Sequence, residues 1–259
     1  MQSYKYAVVT GASQGLGKSF ARQLAARGRH LILISLPGQG LSTLASILKR
    51  TYHTDVRYYE MDLSEKNKLI ALCKYLNKHF EIDMLINNAG LGGTIRFTDA
   101  SLKYIDTIMQ VNVVATSLLT HQLLPNLLRQ HEAYVLNVSS MAAFSPIGFK
   151  SVYPASKTFI HSFSRGLSEE LKNTGVIVSV VNPGAMATNE DVSRRIRKLG
   201  FLGRLTLSEP DKVAGYCIKK LFRKDRVIMV NPFSWLLMAI LPIWIKLPLL
   251  TYNIKKEIQ

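Results

Sequence analysis

Three runs of this chain, 7–9, 31–34 and 176–181, are apolar almost without interruption; only Ser179 breaks them. A strand with one wet face alternates polar and apolar residues, whereas a strand covered on both faces does not. Helical patterns separate these runs, so the expected fold is α/β, a mostly parallel seven-stranded sheet with helices on both faces. The spacing predicts strands over 5–10, 30–35, 55–60, 83–86, 133–138, 176–181 and 227–230. It predicts helices over 15–27, 41–51, 64–79, 102–130, 152–173 and 210–223. Gly28 and Gly175 close two of them, and Ser64 is the expected N-cap of the third. Pro125 is the expected bend in the fourth. Residues 208–211, Ser-Glu-Pro-Asp, resemble a capping box with an early proline. On the 152–173 helix, Phe159, Phe163, Leu167 and Leu171 form an apolar stripe expected to face the core. The chain has 259 residues and no linker, repeat or low-complexity tract. One domain over 1–230 with an apolar extension over 231–259 is therefore expected.

Gly11, Gly15 and Gly17 follow the first strand and open the first helix. Glycines there permit a tight turn and a close approach of backbone N–H groups to a pyrophosphate, at a helix end that carries partial positive charge. The spacing is GxxxGxG rather than GxGxxG, and by itself it also suits a purely structural turn. Tyr153 and Lys157 stand four residues apart in the run YPASK, on one face of a helix. A phenol beside an ammonium is a proton donor whose pKa the cation lowers. Ser140 lies thirteen positions upstream of Tyr153, and that offset favours it over Ser139.

With these residues in place the chain resembles the short-chain dehydrogenase/reductase superfamily. The resemblance rests on TGASQGLG at 10–17, Asn-Asn-Ala-Gly at 87–90, Asn-Pro-Gly at 182–184 with Thr188 beyond, and Asn112, Ser140, Tyr153 and Lys157 in family order. It implies a three-layer, doubly wound Rossmann-type fold and a nicotinamide cofactor. It also implies an enzyme that interconverts a ketone and a secondary alcohol at CH–OH groups. Tyr153 would be the general acid, Lys157 would lower its pKa and bond the nicotinamide ribose, and Ser140 would hold the substrate oxygen. Asn112 would anchor a water in a proton relay. Gly11, Ser13, Gly15, Leu16 and Gly17 would cradle the dinucleotide. Asp62 would contact adenine; Asn88, Ala89 and Gly90 would line the ribose; Pro183, Gly184 and Thr188 would meet the nicotinamide. Asn88 also has a structural alternative, and Asp62 a turn-capping one. A non-catalytic dinucleotide sensor on the same fold, or an epimerase or dehydratase using the same groups, are the rival classes.

An acid at the end of the second strand would select the ribose 2′-hydroxyl of NAD. Ser35-Leu36-Pro37-Gly38 offers none, and Ser35 and Lys18 would suit a 2′-phosphate, so NADP(H) is expected over NAD(H) although no arginine follows the strand. Phe144, Ile147 and Phe149 would form an apolar wall. Residues 189–207, with Arg194, Arg195, Arg197, Lys198 and Arg204 among apolar side chains, would cover the substrate. A hydrophobic carbonyl or alcohol follows: 3-oxoacyl, lipid-like or steroid-like.

Lysine and arginine total 33 against 17 aspartates and glutamates, a formal charge of +16. That attracts polyanions such as an anionic membrane or an acyl carrier; without a helix-turn-helix or RNA-binding signature, nucleic acid is not expected. Cys73 and Cys217 form no CxxC and suggest reduced thiols. The opening residues lack a signal-peptide pattern, so the expected setting is cytoplasmic, with membrane association through the tail. Residues 233–250 are nearly all apolar, with Trp235 and Trp244, interrupted by Pro242, Lys246 and Pro248. The tail could cover the substrate, join subunits or lie on a bilayer surface. Family resemblance implies a homodimer or homotetramer built through the 102–130 and 152–173 helices.

Overall fold

The computed structural model describes residues 4–184, 186 and 209–258. Seven strands, β1 (Lys5–Thr10), β2 (His30–Ser35), β3 (Val56–Glu60), β4 (Glu81–Asn87), β5 (Ala133–Val138), β6 (Val176–Asn182) and β7 (Val227–Met229), form one sheet in the order β3-β2-β1-β4-β5-β6-β7. Every pairing is parallel, so the sheet is wholly rather than mostly parallel. The helices are α1 (Gly15–Ala25), α2 (Leu41–Tyr52), α3 (Lys66–His79), α4 (Leu102–Met109), α5 (Thr116–Leu128), α6 (Val152–Glu170), α7 (Pro210–Phe222), α8 (Pro232–Ile240) and α9 (Ile243–Ile258).

The unbroken apolar strands are explained by two cores, one on each side of the sheet. Ala7, Val9, Leu31 and Leu33 pack with Phe20 and Leu24 of α1, Leu44 and Leu48 of α2 and Ile218 and Leu221 of α7. Val8, Ile32 and Ile34 point the other way, to Leu69 and Leu76 of α3 and Leu119 and Leu123 of α5. Neighbouring residues of one strand serve opposite layers, as the period of two requires. Cys217 belongs to the first core and Cys73 to the second, so the sheet separates the two free thiols. Burial pushes both up to about 12.

Local differences from expectation have physical causes. The 102–130 helix is interrupted by a π-helical stretch, Gln110–Ala115, and Pro125 lies inside α5 without ending it. A π-turn adds a residue to the coil and commonly marks a functional position; here it carries Asn112. Ser64 is not the N-cap of α3: that helix starts at Lys66 after Glu65, and the backbone N–H of Ser64 instead donates to Asp62 Oδ1 at 2.9 Å. Ahead of α7, Glu209 is the N-cap without a side-chain bond and Pro210 takes the first turn, while Ser208 lies outside the described residues. Gly28 behaves as expected at φ 75°, with Arg29 N donating to Leu24 O and Gly28 N to Ala25 O.

Leu167 and Leu171 pack against the second core as expected, and the aromatic half of the stripe is the largest correction to α6. Its buried residues are Pro154, Ser156, Lys157, Ile160, Ser164 and Ser168, whereas Phe159 and Phe163 stack on one another outside, with Phe159 41% exposed. The sheet beneath is polar at this point. Asn137, wholly buried on β5, donates to Ser164 Oγ at 2.9 Å and accepts from Asn87 Nδ2 at 2.8 Å. Only small hydroxyl side chains can meet that surface without stranding a buried amide.

A second buried amide fixes the start of β4. Asn126 of α5 accepts from Ile82 N at 3.1 Å and donates to Phe80 O at 2.8 Å. Replacing it with leucine keeps the volume but orphans two backbone groups. We expect Asn126→Leu to lower unfolding free energy by about 2–4 kcal/mol in urea titrations; an unchanged midpoint would mean the amide is dispensable.

Candidate active site

The strand order reverses at β1, which lies between β2 and β4, and crevices at such switch points lie beyond the carboxyl ends of the strands. Thr10 and Asn88 hold the two strand ends together there. Thr10 Oγ1 accepts from the N–H groups of Asn88 at 2.9 Å and Ala89 at 3.0 Å. Asn88 Nδ2 donates back to Thr10 O at 2.9 Å and Gly11 O at 3.3 Å. Asn88 is thus bound into the scaffold by its side chain.

The glycine turn follows. Gly11 sits at φ 63° and Gly15 at φ 52°, in the left-handed region that glycine reaches without strain. A methyl at Gly17 would overlap Gly11 O and lie 2.5 Å from Asn88 Nδ2, so α1 can approach the loop only without a side chain there. Gln14, the N-cap of α1, makes no side-chain cap bond, which leaves the first N–H groups of the helix for an anion. Leu16 is buried in the core, so any share it has in binding falls to its backbone. These features fit a dinucleotide pyrophosphate.

Beside the turn, the hydroxyls of Ser13 and Ser35 are 2.8 Å apart, and Gln39 Oε1 lies 2.6 Å from the first and 2.9 Å from the second. Gln39 was not anticipated; its only sequence signal is its place four residues beyond Ser35, ahead of α2. Ser13, Gln39, Lys18 and Arg22 also line a groove of about 470 Å³ between α1 and α2. Asp62 stands past the end of β3, its carboxylate engaged by the Ser64 N–H.

The four expected catalytic side chains converge from separate elements. Lys157 is almost fully buried, and its Nζ donates to Val138 O at 2.9 Å. It lies 5.8 Å from the centre of the Tyr153 ring. A Cβ at Gly90 would come within 3.1 Å of that Nζ and 3.3 Å of Asn112 Oδ1; one at Gly92 would come within 3.3 Å of the Tyr153 ring. The Asn-Ala-Gly turn after β4 therefore lies directly against the α6 pair. Asn112 Oδ1 accepts from Leu91 N at 2.7 Å, and its Nδ2 donates to Leu91 O at 2.9 Å and to Ser156 Oγ at 2.9 Å. Both amide hydrogens are spent on locking that turn to α6, so the side chain has no donor left for a water. Ser156, unnoticed in the sequence, is the anchor on α6. Ser139 donates to Lys157 O at 2.7 Å and is buried, which leaves Ser140 as the half-buried hydroxyl facing the phenol. Pro183 O accepts from Met141 N at 2.9 Å, which seats Pro183 and Gly184 beside the Ser140 turn. Thr188 and the 189–207 segment lie outside the described residues.

The electrostatics differ from expectation. Burial is the dominant influence on Tyr153 and raises its pKa, with the Ser140 hydroxyl pulling the other way. Burial pushes Lys157 down to about 8. Desolvation of the charged form is thus the leading influence on both groups, with the ammonium 5.8 Å from the centre of the phenol ring.

The family profile described as short chain dehydrogenase matches residues 5–198. The chain belongs to the short chain dehydrogenases. It is accordingly an oxidoreductase that acts on CH–OH groups with a nicotinamide dinucleotide. It is 33% identical over 185 residues to an uncharacterized oxidoreductase of Staphylococcus epidermidis, covering 71% of this chain and 79% of that one. It is 34% identical over 188 residues to the very-long-chain 3-oxoacyl-CoA reductase of Anas platyrhynchos, covering 71% of this chain and 60% of the duck protein. Among solved structures, the short-chain dehydrogenase of Sphingobium yanoikuyae in complex with NADPH superposes with a TM-score of 0.79 at 26% identity, over 91% of this chain and 92% of that one.

The buried amine has a measurable signature. The folded value of Lys157, about 8, lies below its ordinary 10.5. Below pH 8 both folded and unfolded states hold the proton and the burial cost is fully present. Between about 8 and 10.5 only the unfolded chain holds it, so stability rises with pH, by about 3 kcal/mol in all from this group. Lys157→Met should remove that rise when urea unfolding of the two proteins is compared from pH 7 to 10. Parallel stability curves would show that the amine is not desolvated.

Proposed function

We propose that this protein is an NADP(H)-dependent reductase that interconverts a hydrophobic ketone, 3-oxoacyl or lipid-like, and its secondary alcohol. The observation that carries the proposal is the convergence of Ser140, Tyr153 and the buried Lys157 amine beside the turn formed by residues 88–92. The dinucleotide, when bound against the glycine turn, supplies or accepts the hydride. Tyr153 gives its proton to the carbonyl oxygen while the Ser140 hydroxyl holds that oxygen by a hydrogen bond. Lys157 spends one N–H on Val138 O. Its other two can bond a ribose and favour the phenolate left after proton transfer. Asn112, through Leu91 and Ser156, keeps the turn and α6 at a fixed separation. Ala89 and Gly90 would line the ribose, Asp62 would meet the adenine end, and Pro183 with Gly184 would border the nicotinamide.

The preference for NADP(H) is supported by the groups at the end of β2. Ser35, Ser13 and Gln39 present no carboxylate, and Lys18 and Arg22 line the adjoining groove. Such a setting can bond a 2′-phosphate and gives no reason to favour a bare hydroxyl. Phe149, Ile95, Phe97 and Tyr104 gather beside Val152 at the start of α6 around a space of about 10 Å³, which has room for a water and not for a substrate, so they supply an apolar border only. The named 3-oxoacyl-CoA reductase points to the same chemistry, although this chain spans only 60% of it. The Phe159–Phe163 stack left outside on α6 suits a subunit contact in a homodimer or homotetramer. An acyl carrier fits the basic surface.

Purified Tyr153→Phe should lose about 10²–10⁴-fold in kcat/KM while NADPH affinity, read by fluorescence titration, stays within a few-fold. An undiminished rate would remove Tyr153 from its role. The wild-type enzyme should bind NADPH more tightly than NADH and turn over long-chain ketones faster than small polar ones. The reverse orders would sink the cofactor and substrate assignments respectively. NADPH consumed in proportion to product separates net reduction from epimerisation or dehydration.

A further inference from the structure

The C-terminal helix pair has one face turned to the protein and one turned to water. The inward face is tied down by specific bonds. Thr251 Oγ1 accepts from Gly148 N at 3.0 Å, and a Cβ at Gly148 would lie 2.6 Å from Thr251 Cγ2. Lys246 is the sole charged residue between 231 and 254. Its Nζ turns inward, donating to Phe144 O at 3.1 Å and Met238 O at 2.8 Å. Both anchors fall on the segment that follows Ser140, so the pair is seated on the substrate side of the site.

Withdrawing Lys246 leaves an outward face of bulky apolar side chains. Phe233 is 75% exposed, Ile240 68%, Trp244 73% and Tyr252 58%, with Leu236 and Leu249 among them. On α8 the spacing i, i+3, i+7 puts Phe233, Leu236 and Ile240 on one stripe. On α9, Trp244, Pro248 and Tyr252 follow at i, i+4 and i+8, and the exposed Lys255 closes the row. Surface patches of this kind mark interaction sites. Neither helix crosses a bilayer: α8 has 9 residues and α9 has 16, and among the described residues no helix is long and apolar enough to span.

We propose that α8 and α9 form a docking surface for an anionic lipid bilayer, lying in the interface rather than through it. Three features select lipid over a second copy of the chain. The patch carries indole and phenol rings, which suit the headgroup level. Its row of apolar residues ends in lysine, which reaches phosphate. The chain as a whole carries +16, which complements an anionic surface. Docked this way, the Ser140–Tyr153 side of the protein faces the bilayer, the source of a long-chain substrate. That consequence rests on the proposed substrate class, but the docking itself does not.

The chain contains two tryptophans, and both lie in α8 and α9. Tryptophan emission, excited at the red edge where the eleven tyrosines do not absorb, therefore reports on this pair alone. With vesicles of phosphatidylcholine and phosphatidylglycerol, the full-length protein should sediment with lipid, its emission should shift to the blue, and brominated lipid should quench it. Pure phosphatidylcholine should bind roughly tenfold less. The triple variant Phe233→Ser, Ile240→Ser, Trp244→Ser should lose binding by about tenfold or more while keeping its far-ultraviolet circular dichroism. Trp235→Phe, which leaves Trp244 as sole emitter, tests the same contact without removing the patch. Three results would overturn the proposal: no sedimentation with either vesicle, sedimentation with unchanged emission, or a wild-type oligomer that the triple variant dissociates while neither protein binds lipid. Because vesicle binding is read without turnover, its failure would leave the reductase assignment standing, and failure of the reductase assay would leave the docking result untouched.

Discussion

The hydroxyl of one threonine holds the two halves of this molecule in register. Thr10 ends β1, and its oxygen accepts two successive amides from the turn after β4, while Asn88 returns two bonds to the turn after β1. Strands β1 and β4 belong to different halves of the sheet, and the crevice between their ends exists because the chain changes direction there. The clamp sets how near the glycine turn comes to the Asn-Ala-Gly turn, and that nearness is why Gly17 has no room for a methyl. Everything on the cofactor side inherits this separation. The α6 side inherits it too, because the same turn continues through Gly90 and Leu91 to Lys157 and Asn112.

A second constraint runs beneath α6. The amides of Asn87 and Asn137 and the hydroxyls of Thr120 and Ser164 form a buried polar seam in an otherwise apolar sheet. Each member is individually costly to bury and is offset only by its partners. The seam meets α6 at Ser164, and the same helix is held to the sheet where Ser139 reaches Lys157 O and Lys157 reaches Val138 O. The reacting pair thus stands over a polar part of the sheet one and two strands from the glycine turn.

The strand pattern and the order of motifs were legible because they reflect strong, local demands. Continuous apolar runs such as 31–34, too short for a helix, suit strands covered on both faces, and Gly11, Asn88, Ser140, Tyr153 and Lys157 gather at the strand ends and on α6. What stayed hidden depends on side chains meeting across long sequence separations. Gln39 joins Ser13 and Ser35 only after β2 and α2 are folded beside α1. Ser156 becomes important only because Asn112 reaches it from a π-turn that helical periodicity does not reveal. The stripe of Phe159 and Phe163 misled because hydrophobicity usually marks the buried face, and here a polar sheet surface reversed the rule. The raised phenol and lowered amine likewise depend on burial, which no spacing encodes.

The two thiols give the three-layered arrangement an unexpected use. Cys73 is sealed in the layer formed by α3 and α5, and Cys217 in the layer formed by α1, α2 and α7. Neither reacts while its layer is closed, since burial holds both as neutral thiols. Each cysteine is thereby a clock for the opening of one side of the sheet, and the ratio of their alkylation rates in the native protein measures whether the two layers come apart together or one at a time.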